Sequence, residues 1–114
     1  MKSTSKGKDN LKNKQYIYFC RIGEPAERLF KIGTTNNIKR RMSEHRRSYK
    51  KDIEVLGVIT VTSKYTTLRV EEQTIKKWKM NECWKYHRND RFTIPPEVTE
   101  VTIKVKKEYK FAAV

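Results

Sequence analysis

The chain has 114 residues, enough for one domain with a modest core, and 27 Lys and Arg against 13 Asp and Glu give it a formal charge of +14. That excess implies a polyanionic partner, most simply nucleic acid. No apolar run is long enough to span a bilayer, and no basic amphipathic helix has the broad apolar face that a membrane surface would require.

Residues 1–14 are rich in Lys, Ser and Asn and nearly devoid of apolar side chains, which predicts a disordered basic arm. Such an arm is a solubilising tail, a non-specific phosphate contact, or both. The folded body is expected over residues 15–114. Gln15 to Ile22 is aromatic and β-branched and reads as a strand. Period 2 sends Tyr16, Tyr18 and Cys20 to one face and Ile17, Phe19 and Arg21 to the other. A turn at Gly23–Glu27 leads to a second strand, Arg28 to Gly33, and so to a hairpin with a loop of about five residues.

Thr35 or Asn36 is the expected cap of a helix running to about Ser48, with Ile38, Arg41, Met42 and His45 along one side. Ile53 to Thr62 is the most hydrophobic stretch and reads as a central strand, in which Gly57 marks a bulge or a close approach. A second helix is expected over roughly 66–80. Its apolar positions are Leu68, Ile75 and Trp78, and Glu71 takes the place where the stripe needs another apolar residue. A carboxylate there is the kind of local conflict found at functional sites. Residues 81–90 read as a polar loop and Arg91–Ile94 as a short extended piece. Pro95-Pro96-Glu97 opens either a helix or, by the alternation of Val101, Ile103 and Val105, a strand.

Two cysteines, Cys20 and Cys83, make no disulfide framework, and the charged first residues lack a secretory apolar stretch, so a reducing, intracellular setting is expected and not a secreted one. Cys83 and His87 have C-x3-H spacing, but no second pair completes a zinc motif.

The residue types point to phosphodiester chemistry. A phenol (Tyr18), a permanent guanidinium (Arg41) and an imidazole (His45) are brought together by a hairpin and a helix, and the basic surface would deliver the substrate. Each has a structural alternative. Tyr18 can simply pack, Arg41 can belong to a solvated face, His45 can lie on the helix surface, and Glu71 can pair with Lys64 or Arg69, leaving Glu72 as the fallback ligand. Lys39, Arg40, Arg46, Arg47, Lys50 and Lys51, with Tyr16, form a candidate sequence-blind nucleic-acid face. Trp78, Trp84 and Tyr86 read as packing residues. Basic structural proteins of ribosomal type share this composition, and that reading predicts no gathering of Tyr18, Arg41 and a carboxylate.

The order Tyr16-Ile17-Tyr18, Lys31-Ile32-Gly33, Arg41, His45 and Glu71 resembles the GIY-YIG nuclease superfamily. With Arg91-Phe92-Thr93-Ile94-Pro95-Pro96-Glu97 it is most similar to the viral and phage branch, which places the protein in host cytoplasm or nucleus. The resemblance implies a small α/β domain with a three-stranded antiparallel sheet flanked by helices. It implies a metal-dependent endonuclease acting on nucleic acid, with DNA expected before RNA. Tyr18 would activate water, Arg41 and Lys31 would hold the scissile phosphate, His45 would assist, and Glu71 would bind Mg²⁺ or Mn²⁺. Cations around Tyr18 are expected to favour its phenolate. Double-strand cutting would need a homodimer or sequential nicks. The chain departs from the pattern at Tyr16, where Gly is usual, at Lys31, where the second motif has Tyr, and in lacking a counterpart of the final Asn, for which Asn81 and Asn89 both fit poorly. These departures support an alternative: a catalytically inactive nucleic-acid-binding module on the same fold.

Overall fold

The computed structural model describes residues 14–62 and 64–114. The expected basic arm therefore falls outside the described residues, apart from an exposed Lys14. Strand β1 (Gln15–Ile22) pairs antiparallel on one side with β2 (Leu29–Thr35) and on the other with β3 (Ile53–Val61). The loop from β1 to β2 is tightened by a 3-10 turn at Pro25–Glu27, in which Glu24 and Glu27 cap each other reciprocally. Helix α1 (Ile38–Tyr49) joins β2 to β3, and helix α2 (Lys64–Lys79) follows β3. Asn37, not Thr35 or Asn36, caps α1, because its side chain is the one that accepts the Arg40 amide at 3.0 Å.

The class is α/β, as expected, but the main sheet has five strands rather than three. Strands β4 (Lys85–His87) and β5 (Arg91–Thr93) extend it in the order β3-β1-β2-β5-β4. Three-residue strands carry too little periodicity to be read from sequence. Their turn holds Asn89 and Asp90 at φ 59° and 58°, a left-handed pair that closes the hairpin. Ile53–Val61 lies at a sheet edge, not at its centre. The Pro95-Pro96 segment leads into a strand, so the helix reading fails. Strands β6 (Glu100–Lys104) and β7 (Glu108–Ala112) form a separate hairpin.

Why β3 is so apolar follows from its bulge. Phe19 pairs with Gly57 while Cys20 pairs with Val55, so Leu56 is the extra residue. The slip reverses the alternation. Ile53 and Val55 join Tyr18, Cys20, Ile22 and Met42 on the α1 face, whereas Leu56, Ile59 and Val61 join Ile17 and Phe19 on the other. Gly57 is also a close approach: a Cβ there would lie 2.2 Å from the Phe111 ring of β7. Both faces of the sheet are thus covered, by α1 on the Tyr18 side and by α2 with the β6–β7 hairpin on the Phe19 side.

The inward stripe of α2 differs from the expected one. Thr67, Val70, Thr74 and Trp78 are buried, while Leu68 is 47% exposed. The true stripe starts one residue earlier in the helical turn, and the two threonines hid it from a count of apolar residues. The C-terminal hairpin is tied down by Arg28, whose guanidinium donates to the carbonyls of Ile94, Pro95, Val98 and Ala113.

Candidate active site

The hairpin register builds the site first. Tyr18 stands opposite Gly33 and Cys20 opposite Lys31, and directly paired residues share a face of the sheet. A Cβ on Gly33 would come within 2.3 Å of the Tyr18 hydroxyl, so the glycine of the Lys-Ile-Gly segment leaves room for the phenol to lie across β2. Helix α1 then supplies His45 one turn beyond Arg41. His45 Nε2 sits 2.7 Å from the Tyr18 hydroxyl, with the two rings 5.8 Å apart at 54°. Both side chains are almost wholly buried.

Burial also sets their protonation. The Tyr18 hydroxyl is pushed well above the usual phenol range by desolvation, and the adjacent Arg41 guanidinium only partly offsets this. Tyr18 is therefore a neutral phenol at physiological pH, contrary to the expectation that nearby cations would hold it as phenolate. His45 is pushed down to about 4, first by burial and then by the charges of Arg41 and Lys31. A neutral imidazole beside a protonated phenol makes Tyr18 O–H the donor and His45 Nε2 the acceptor.

Lys31 is buried, and its ammonium donates to the Asn89 carbonyl. Burial lowers its pKa, with Asp90 acting against that shift. Strand β5 pairs with β2 only as far as Lys31, and the Asp90 carbonyl then receives the Ile32 amide at 3.3 Å. The β4–β5 turn thus closes over the ammonium. Glu71 faces the same charges from α2. Its carboxyl is raised to about 6 by burial and by Asp90, against the pull of Lys31 and Arg41. Lys31, Arg41, Glu44, His45 and Asp90 line one depression of about 520 Å³.

Arg41 also lines a second depression, of about 320 Å³, on its other side. The wall between the two is the Arg41–Glu44 ion pair, at 2.9 Å. Glu44 is the only acidic residue of α1 and also lies 3.9 Å from Arg40.

Tyr18, Lys31, Arg41 and His45 gather on the α1 side of the sheet, and Glu71 reaches them from α2 only through its charge, which Lys31 and Arg41 feel. The basic face is looser. Lys39 and Arg47 are exposed, Arg40 bonds to Asn36, Arg46 donates to the Ile53 carbonyl, and Lys51 pairs with Glu27 at 2.7 Å. Lys50 is the left-handed C-cap of α1, and Tyr16 is half-buried opposite Thr35. The Lys64 pairing considered for Glu71 involves a side chain outside the described residues. Sequence reasoning missed Asp90 and Glu44. An Asn-Asp pair between two short extended pieces was the available signal for the first. The second is a lone carboxylate three residues after Arg41 in a basic helix, which places it on Arg41's face. His87 Nε2 is 2.7 Å from Thr93 Oγ1, and Cys83 is exposed. Among the described residues no group of three or more His, Cys, Asp or Glu could hold a metal, and no helix is long and apolar enough to cross a membrane.

Glu71, whose charge feels that of Asp90, is the carboxylate that would suit a hard divalent ion of the Mg²⁺ kind, which needs only one or two carboxylates and keeps water or substrate oxygens in its remaining positions. The desolvated Glu71 charge, crowded by Asp90, is what such an ion would neutralise.

Neither a curated protein nor a solved structure matches the chain. A family model described as the T5orf172 domain matches residues 15–108, from the first residue of β1 to the first of β7. The chain belongs to the T5orf172 domain family.

Proposed function

We propose that the domain is a metal-dependent endonuclease of GIY-YIG type that hydrolyses phosphodiester bonds of nucleic acid, DNA in preference to RNA. The observation that carries this reading is the Tyr18–His45 hydrogen bond at 2.7 Å, beside Arg41 and under the charge of Glu71. Tyr18 enters the reaction as a neutral phenol. It takes a proton from the attacking water as it passes its own to His45 Nε2, so no phenolate need accumulate in the resting site. The Arg41 guanidinium holds phosphate oxygens, exchanging its Glu44 partner for them. Lys31 keeps the β4–β5 turn in place and adds positive potential. Glu71 would hold Mg²⁺ or Mn²⁺, which when bound supplies Lewis-acid neutralisation of the phosphate. The exposed Arg47 and Lys39 supply sequence-blind attraction.

The test is nicking of a supercoiled plasmid with Mg²⁺, with Mn²⁺ and with chelator, by the parent, Tyr18→Phe and Glu71→Ala. Products that need the divalent ion and disappear in both variants are expected. Variants cutting as fast as the parent would overturn the assignment. One observation favours the second reading, a binding module without cleavage: the ammonium of Lys31, standing where the superfamily has Tyr, is buried against the Asn89 carbonyl. That reading predicts retardation of DNA on a gel with no products under any metal.

A further inference from the structure

The second depression beside Arg41 has a composition of its own. Gln15, Thr34 and Asn36 contribute amides and a hydroxyl, Arg40 contributes a guanidinium, and Leu68 forms an apolar flank. Among the described residues Leu68 is the only large aliphatic side chain there, and it is 47% exposed, on the face of α2 turned away from the buried stripe. An exposed leucine alone is ordinary. Here it faces a polar depression of about 320 Å³ whose inner wall is Arg41 and Glu44. An exposed aliphatic side chain with amide donors and acceptors beside it suits a heterocyclic base, which has an apolar face and a hydrogen-bonding edge. The guanidinium on the inner wall suits the phosphate attached to that base.

We infer that this depression is a subsite for the nucleotide flanking the phosphate held by Arg41, with Leu68 against the base and Thr34, Asn36 and Gln15 along its edge. The inference rests on the reading of Arg41 as the phosphate clamp, and it adds a specificity-determining residue, Leu68. Its position on the far side of the Arg41–Glu44 wall from His45 means that one nucleotide of the substrate lies in each depression. Glu44, lining both, is displaced or shared when the phosphate arrives. The Asn36 side-chain oxygen already accepts from the Arg40 guanidinium at 2.9 Å, which ties together two residues lining the depression.

The experiment is nuclear magnetic resonance titration of the isotope-labelled full chain, free of divalent metal. The probes are dAMP and 2-deoxyribose 5-phosphate, for the parent and for Leu68→Ser. Leu68 is exposed enough for the variant to fold, and circular dichroism checks that it does. In the parent, dAMP is expected to bind about tenfold tighter than the sugar phosphate, as covering the leucine flank would give, with shifts at Thr34, Asn36 and Leu68. In Leu68→Ser that advantage should vanish while sugar phosphate binding stays the same. Equal binding of the two probes by the parent, or shifts confined to other surfaces, overturns the subsite. The nuclease reading fails separately: it falls if no metal-dependent product forms, whether or not dAMP is preferred.

Discussion

Replacing Glu71 by Gln changes the electrostatics of the site while keeping its shape. The Glu71 carboxyl protonates at about 6 in the fold against 4.5 ordinarily, chiefly because burial desolvates it and then because Asp90 is close. That displacement corresponds to about 2 kcal/mol of cost to the native state once the group is ionised. Residual exposure on α2 brings it to about 1 kcal/mol. Because the folded value is raised, the cost is absent below pH 4.5, grows as pH rises through 6, and is complete at neutrality. The Gln variant never carries the charge. It should therefore be about 1 kcal/mol more stable than the parent at pH 7.5 and no different at pH 4. His45 acts in the opposite sense. Its folded value of about 4 lies below the ordinary 6.5, so its contribution stands in full above pH 6.5 and is lost as pH falls to 4, by up to about 3 kcal/mol. In the parent the two slopes oppose each other between pH 6.5 and 4.5, and in Glu71→Gln only the His45 slope remains. Urea unfolding at pH 7.5, 6 and 4.5, followed by the fluorescence of Trp78 and Trp84, reads both effects. A variant no more stable than the parent at pH 7.5, or a difference that does not shrink on acidification, would refute the reasoning.

Tyr18→Phe leaves the His45 ring nitrogen without its phenol partner. It should cost about 1 kcal/mol of stability and slow plasmid nicking by about a hundredfold or more; full activity in a folded variant would remove Tyr18 from the chemistry. Gly33→Ala places a methyl 2.3 Å from the Tyr18 hydroxyl, which is packed against His45 and cannot yield freely. A loss of about 2–3 kcal/mol in urea unfolding is expected, together with loss of nicking; an unchanged unfolding midpoint would show that the ring has room to move. Arg28→Lys replaces a planar fork bonded to four carbonyls by a single ammonium. It should lower stability by about 2–3 kcal/mol, and a thermal melt indistinguishable from the parent's would show that the β6–β7 hairpin is held by its apolar contacts alone.

The first hairpin was legible in the residues because its physics is local. Alternation over Gln15–Ile22 divides the two faces, and Lys31-Ile32-Gly33 followed by a capped basic helix fixes the spacing of Arg41 and His45. A glycine within a β-branched run likewise announced either a bulge or a close approach, and Gly57 proves to be the close approach, beside a bulge at Leu56. What the sequence could not supply was partnership at long range. The β4–β5 hairpin is too short to announce itself, yet it carries Asn89 and Asp90 to the Lys31 ammonium. The inward face of α2 contains threonines, so counting apolar residues put Leu68 inside when the fold turns it out. Composition showed cations near Tyr18, but whether they or desolvation govern the phenol depends on how deeply β1, β2 and α1 bury it. Only packing could decide that, and burial prevails. Local periodicity and spacing thus determined which residues could meet. The tertiary structure decided how dry their meeting place is, and with it the protonation states from which any chemistry there must begin.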